Sequence, residues 1–135
     1  MNRRLTLTAL LVADYDEAIR FYVDLLGFTL EQDIRISDEK RWVVVTPSST
    51  STGLLLAKAA NGRQKAAIGE QSGGQVFLFL ETDDFERDYA SYRERGVRFV
   101  EEPRHEAYGT VAVFEDLYSN RWDLIGPVAD NGSTK

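Results

Sequence analysis

The chain has 135 residues, 43% of them hydrophobic, and no cysteine, with 16 basic against 22 acidic side chains for a net charge of −6. That length gives one domain able to bury a core unaided, and the lack of cysteine excludes disulfide scaffolds, thiolate metal sites, iron–sulfur clusters and cysteine nucleophiles. The acidic balance speaks against nucleic acid, because the longest basic cluster, Arg93, Arg95 and Arg98, is interrupted by Glu94 and followed by Glu101 and Glu102. No apolar run reaches the ~20 residues of a membrane span. The opening Met1–Arg4 runs into Leu5–Thr8, which alternates like a strand and not like a signal peptide. A soluble cytoplasmic protein is the expectation.

Leu5 to Val12 reads as a strand with both alternating sets apolar, which predicts cover on both faces. Asp14, Asp16 and Glu17 then supply the acidic start of a helix. Ala18, Ile19, Phe21, Tyr22, Leu25 and Leu26 form its buried stripe, and Gly27 is its stop. Phe28 to Ile36 and Trp42 to Val45 read as strands around the turn Ser37–Lys40, followed by the loop Pro47–Thr52 and a strand from Gly53 to Ala57. From Ala59 to Gly74 the periodicity lapses, which predicts a linker with a short helix around Gln64–Ile68. The pattern then restarts: a strand from Gln75 to Glu81, a helix start at Thr82-Asp83-Asp84, a helix from Phe85 to Arg95, and a stop at Gly96. Val97–Val100, Thr110–Glu115 and Arg121–Ile125 supply three more strands, and the polar tail 127–135 is expected to fray.

This is an internal repeat. Asp14 and Gly27 are 13 residues apart, as are Asp83 and Gly96, and each half reads strand–helix–strand–strand–strand. Repetition at this scale predicts two modules sharing one core. The expected division is a first βαβββ module over 1–58, a linker over 59–73, and a second module over 74–126.

Two stretches carry a family resemblance: Val12-Ala13-Asp14-Tyr15-Asp16-Glu17-Ala18-Ile19-Arg20-Phe21-Tyr22 with Leu26-Gly27-Phe28, and Phe114-Glu115-Asp116 with Asn120-Arg121-Trp122-Asp123-Leu124. The pattern, spanning residues 5 to 126, resembles the vicinal oxygen chelate superfamily, which includes glyoxalase I, extradiol dioxygenases, fosfomycin-resistance enzymes and bleomycin-binding proteins. The resemblance implies an α+β fold, two βαβββ modules with mixed sheets curled around a shared cavity, and a homodimer. In metal-using members four ligands point into that cavity. Carried over, those positions fall at Leu7, within Leu54–Ala57, at Gln75 and at Asp123. Only the last is a carboxylate, and divalent nickel, zinc or iron needs several donors at about 2.0–2.2 Å. An extradiol dioxygenase needs two histidines, whereas the chain has one, His105, in the expected turn Pro103–Glu106. No metal and no cofactor are therefore expected.

Asp123, inside the apolar run Trp122–Ile125, needs a partner if it is buried, and is the candidate catalytic residue. The candidate ligand-binding residues are Gln75, Phe77, Phe79, Arg121, Tyr108 and Trp42. Strict alternation puts Gln75, Phe77 and Phe79 on one face and Arg121 with Asp123 on another. If these faces line the cavity, the phenylalanines make an aromatic wall; simple core packing explains them nearly as well. Arg41 beside Trp42 reads as a pocket mouth or as edge packing, and Arg104 to Tyr108 as a lid loop or a solvated turn. The Ser48–Thr52 run lacks any nucleophile motif.

Three functional readings follow. The first is metal-independent binding of a small apolar or aromatic molecule. The second is a glyoxalase-like lyase or isomerase using Asp123, with or without a metal at a degenerate site. The third is a ligand-free interaction module.

Overall fold

Residues 1–128 are described by a computed structural model, in which the chain forms two compact units that divide between Gln71 and Ser72. The fold is α+β, with two mixed sheets of four and five strands and few helices. The expected tail beyond Val128 lies outside the described residues.

The first unit contains β1 (Leu7–Val12), α1 (Tyr15–Ile19), β2 (Thr29–Arg35), β3 (Arg41–Thr46) and β4 (Gly53–Lys58). The sheet order is β1-β4-β3-β2, with β1 parallel to β4 and the other pairs antiparallel. Asp14 caps α1, its Oδ2 accepting the Glu17 N–H at 2.8 Å, and Gly27 ends the helical stretch at φ 77°. Buried Ala18 and Tyr22 belong to the core that Leu10, Val12, Val43, Val45, Leu54 and Leu56 build from one sheet face. The other face of β1 carries Leu7, Ala9 and Leu11, which are half-buried or exposed. The expected two-sided cover is thus one-sided, because the helix protects a single face.

The expected linker is fastened to this unit. α2 (Gly62–Ala67) is capped by Asn61, whose Oδ1 accepts the Gln64 N–H at 2.9 Å. Further on, Gln71 accepts the Leu11 N–H at 2.8 Å through Oε1 and donates Nε2 to the Ala9 carbonyl at 3.1 Å. Its amide thereby does for the open edge of β1 what a neighbouring strand would do.

The second unit repeats the plan with β5 (Val76–Glu81), α3 (Phe85–Glu94), β6 (Arg98–Phe99), β7 (Arg104–Glu106), β8 (Gly109–Glu115) and β9 (Arg121–Pro127). The order is β5-β9-β8-β6, β5 runs parallel to β9, and β7 also pairs with β8. β6 and β7 are two pieces of one outer strand, parted around Pro103, which has no N–H to give the ladder. His105 therefore sits on a strand opposite Thr110, not in the expected turn. Between α3 and the sheet, Tyr92 meets Phe114 edge-on at 5.7 Å and Phe114 stacks on Trp122 at 5.8 Å.

The repeat is offset by one residue. Asp84, not Asp83, caps α3, with Oδ1 accepting the Arg87 N–H at 3.1 Å, while Asp83 pairs with the Arg87 guanidinium. The second helical stretch is thus one residue shorter from cap to glycine than the first. α1 takes up the extra residue by widening into a π-helical segment over Arg20–Leu25.

Candidate functional site

In the second sheet, Trp122 stacks on Phe114 of β8, which in turn meets Tyr92 of α3, so strand alternation turns Arg121, Asp123 and Ile125 to the face away from α3. Their cross-strand partners on β8, Glu115, Val113 and Val111, share that face. On the other side of β9, Asp123 faces Phe79 in register. Strict alternation places Phe79 away from Asp123, but the sheet differs: a register shift between Val76 and Leu78 makes Phe77 an extra residue and brings Phe79 onto the face of Asp123. Phe79 is 64% exposed there, whereas Asp123 is 7% exposed.

Asp123 is the electrostatic oddity of this face. Its Oδ1 is buried and has no hydrogen-bond partner among the described residues. Burial pushes its carboxyl above the ordinary range; Arg104 draws it down and Glu101 pushes it up, each with less effect. The guanidinium gives Asp123 little relief because it is already held by Glu101 at 2.9 Å and by Glu106. The face thus sets buried Val111 and Val113, half-buried Ile125, an exposed aromatic side chain and one buried carboxylate side by side.

The other candidate residues are placed as follows. Arg121 shares the face and lies 3.7 Å from the Glu115 carboxylate. Phe77 is half-buried at the bulge. Gln75 stands in the turn ahead of β5, its carbonyl accepting the Ser72 hydroxyl at 2.6 Å, so it is no part of the strand. Tyr108 is exposed in the turn between β7 and β8. Trp42 belongs to β3 of the first unit and donates its indole N–H to Gln32 Oε1 at 3.0 Å. Its neighbour Arg41 grips Asp33 at 2.7 Å and Asp16 at 3.0 Å, and lies 5.1 Å from the Tyr15 ring centroid. Hydrogen bonding to Arg41 holds the Asp33 carboxyl below its ordinary range. His105 lies 3.2 Å from the Thr110 hydroxyl. Its strand neighbour Arg104 is paired with Val111 on the Asp123 face, so the imidazole points to the opposite one.

A metal finds no donor set. Among the described residues, no three His, Asp or Glu side chains come together to hold an ion. The four positions implied by the resemblance provide one carboxylate, Asp123, beside aliphatic residues and the turn residue Gln75. That does not fit a divalent transition metal. Sequence reasoning did not place Val111, Val113 and Ile125 on the face of Asp123. Both alternating sets of β8 are apolar around them, so composition alone did not say which set faces α3.

Comparison with known proteins agrees with this architecture. Residues 4–124 match the family model described as the Glyoxalase/Bleomycin resistance protein/Dioxygenase superfamily, and the chain belongs to that family. An uncharacterized protein of Shewanella frigidimarina (strain NCIMB 400) is 53% identical over 127 residues, covering 93% of this chain and 94% of its own. Among solved structures, UcmS2 superposes with a TM-score of 0.80 at 30% identity, covering 93% of this chain and 98% of its own. TnmS3, an antibiotic binding protein from Streptomyces sp. CB03234, gives 0.77 at 30% identity, covering 94% and 98%. No described helix is long and apolar enough to cross a membrane.

Proposed function

We propose that this protein binds a small apolar or aromatic molecule without a metal, against the face of the second sheet that carries Phe79 and Asp123. The observation that carries this reading is the pairing of a 64% exposed phenylalanine with a buried, unpartnered carboxylate over a floor of valine and isoleucine. A ring placed on Phe79 gains stacking and burial, and a hydroxyl or N–H on that ring can donate to the Asp123 carboxylate. The antibiotic-binding relative supports the same class of activity. Arg121, Tyr108 and Phe77 are assigned to the rim, and Gln75 and Trp42 to secondary contacts. The reading takes the protein to be a cytoplasmic homodimer. Exposed Leu30, Ile34 and Ile36 along the edge strand β2 and the residue after it support a self-contact.

Titration calorimetry with 1-naphthol and naphthalene tests it. Saturable binding of both is expected, tighter for the naphthol, with the difference lost in Asp123→Asn. Absence of binding in the wild-type protein would contradict the assignment.

The unpartnered carboxylate also favours a second reading, in which Asp123 is the base of a lyase or isomerase, since a carboxyl of raised pKa suits proton abstraction. Asp123→Asn should then abolish turnover of a glyoxalase-type substrate by about 10²-fold or more. Unchanged turnover removes Asp123 from any mechanism.

A further inference from the structure

A cavity of about 650 Å³ is lined wholly by residues of the first unit, Leu7 among them. Its lining includes Glu31 and Gln32 of β2, Val44 and Thr46 of β3, Gly53 at the start of β4, and Arg4. The loop 49–52, Ser-Thr-Ser-Thr, adds a wall of hydroxyls. Two local ties set its shape: Thr52 Oγ1 donates to the Leu5 carbonyl at 3.3 Å, and Ser51 Oγ donates to the Thr52 carbonyl at 2.8 Å.

Two features show how this cavity is kept open and what it offers. Gly53 is buried, and its backbone is outside the left-handed region that favours glycine, so conformation does not explain the residue. Space does: a Cβ there would lie 3.0 Å from Thr46 Cγ2, 3.1 Å from Val44 Cγ1 and 3.3 Å from Leu7 Cδ2. The missing side chain keeps the floor between β3 and β4 clear. Gln32 is oriented from outside, because the Trp42 indole N–H takes its Oε1 and leaves Nε2 as a donor. Beside it Glu31 is an acceptor, and the Thr46 hydroxyl reaches its Oε2 only at a long 3.5 Å.

A planar amide donor next to a planar carboxylate acceptor, over a small apolar floor, matches a group whose neighbouring hydroxyls each donate and accept. The formal charges in the lining, Arg4 and Glu31, cancel. Glu31 repels a phosphate, Arg4 repels a cation, and one carboxylate is too few donors for a metal. We propose that this cavity is a binding site for a neutral polyhydroxylated group of the carbohydrate type, with Glu31 and Gln32 gripping adjacent hydroxyls and Gly53 admitting the ring. The proposal does not rest on the function assigned to the Phe79–Asp123 face.

Amide chemical-shift mapping on the intact ¹⁵N-labelled protein tests the proposal, with methyl β-D-glucopyranoside, methyl β-D-galactopyranoside and methyl α-D-mannopyranoside as probes and inorganic phosphate as the anionic comparison. Saturable shifts at Gln32 and at residues 50–53 are expected with at least one glycoside, at millimolar affinity. They should weaken at least tenfold in Gln32→Ala, an exposed position whose loss should not unfold the chain, and also in Gly53→Ala. Shifts at these residues with phosphate and with none of the glycosides would overturn the proposal. So would no response to any probe, or glycoside shifts that persist unchanged in Gln32→Ala. Because 1-naphthol binding is measured separately, failure here leaves the reading of the Asp123 face standing, and the reverse also holds.

Discussion

Asp123 is placed where an ionised carboxylate is costly, and that cost has a sign that can be measured. Its folded-state carboxyl is raised by burial, so over the window above the ordinary aspartate range the native state holds its proton more tightly than the unfolded chain does. Stability from this group is therefore fully present at acid pH and is lost as pH rises through the folded value. Asp123→Asn should raise the thermal midpoint at pH 7 by the equivalent of about 1 kcal/mol, with the gain fading at and below the ordinary carboxylate range. A variant that is less stable at pH 7 would mean the carboxylate has a native partner. Phe79 makes the opposite case. As a 64% exposed side chain it adds little to the core, so Phe79→Ala should leave stability within about 0.5 kcal/mol. It should weaken 1-naphthol binding about tenfold, read by the same calorimetry. Asp33 carries the reverse linkage: its lowered carboxyl adds stability above the ordinary range that is lost on acidification. The destabilisation caused by Arg41→Gln should accordingly be largest near neutrality and shrink in acid-melt experiments.

At the scale of the elements, the sheets are pinned by close approaches that leave no room for a side chain. Gly109 opens β8 at φ 150°, and a Cβ there would lie 2.4 Å from the Gly126 carbonyl oxygen on β9. Gly109→Ala should cost about 3 kcal/mol or more, as a lowered denaturation midpoint, since both backbone and neighbour must yield. Much of this architecture is legible in the chain. The acidic cap Asp14, the glycine stops and the apolar stripes of the helices follow from local physics, whereas the choice of Asp84 over Asp83 as the second cap does not; the strand order repeats because the pattern does. What eluded the pattern are the events that change register. The bulge at Phe77 leaves no mark in Gln75-Val-Phe-Leu-Phe, because every residue after the glutamine suits either face. Yet it decides that Phe79 shares a face with Asp123. Gln71 was hidden for a different reason: a lone glutamine in a polar stretch reads as solvent-exposed until the open edge of β1 is seen beside it.

For the whole molecule, two repeats of one βαβββ plan have diverged into two chemically different surfaces. The second unit presents a phenylalanine and an orphaned carboxylate, and the first a hydroxyl-lined cavity kept open by a glycine. The exposed edge strand β2 gives the proposed self-association its own prediction: light scattering coupled to gel filtration should return twice the chain mass, and Ile34→Lys should shift it toward the monomer. The central claim, metal-independent capture of a small organic molecule, is tested most directly by native mass spectrometry of tag-free protein purified without chelator and offered 1-naphthol alongside equimolar nickel, zinc and manganese. The account predicts a stoichiometric adduct of the naphthol mass on metal-free protein. A stoichiometric metal ion retained through gel filtration, with no organic adduct, would contradict it.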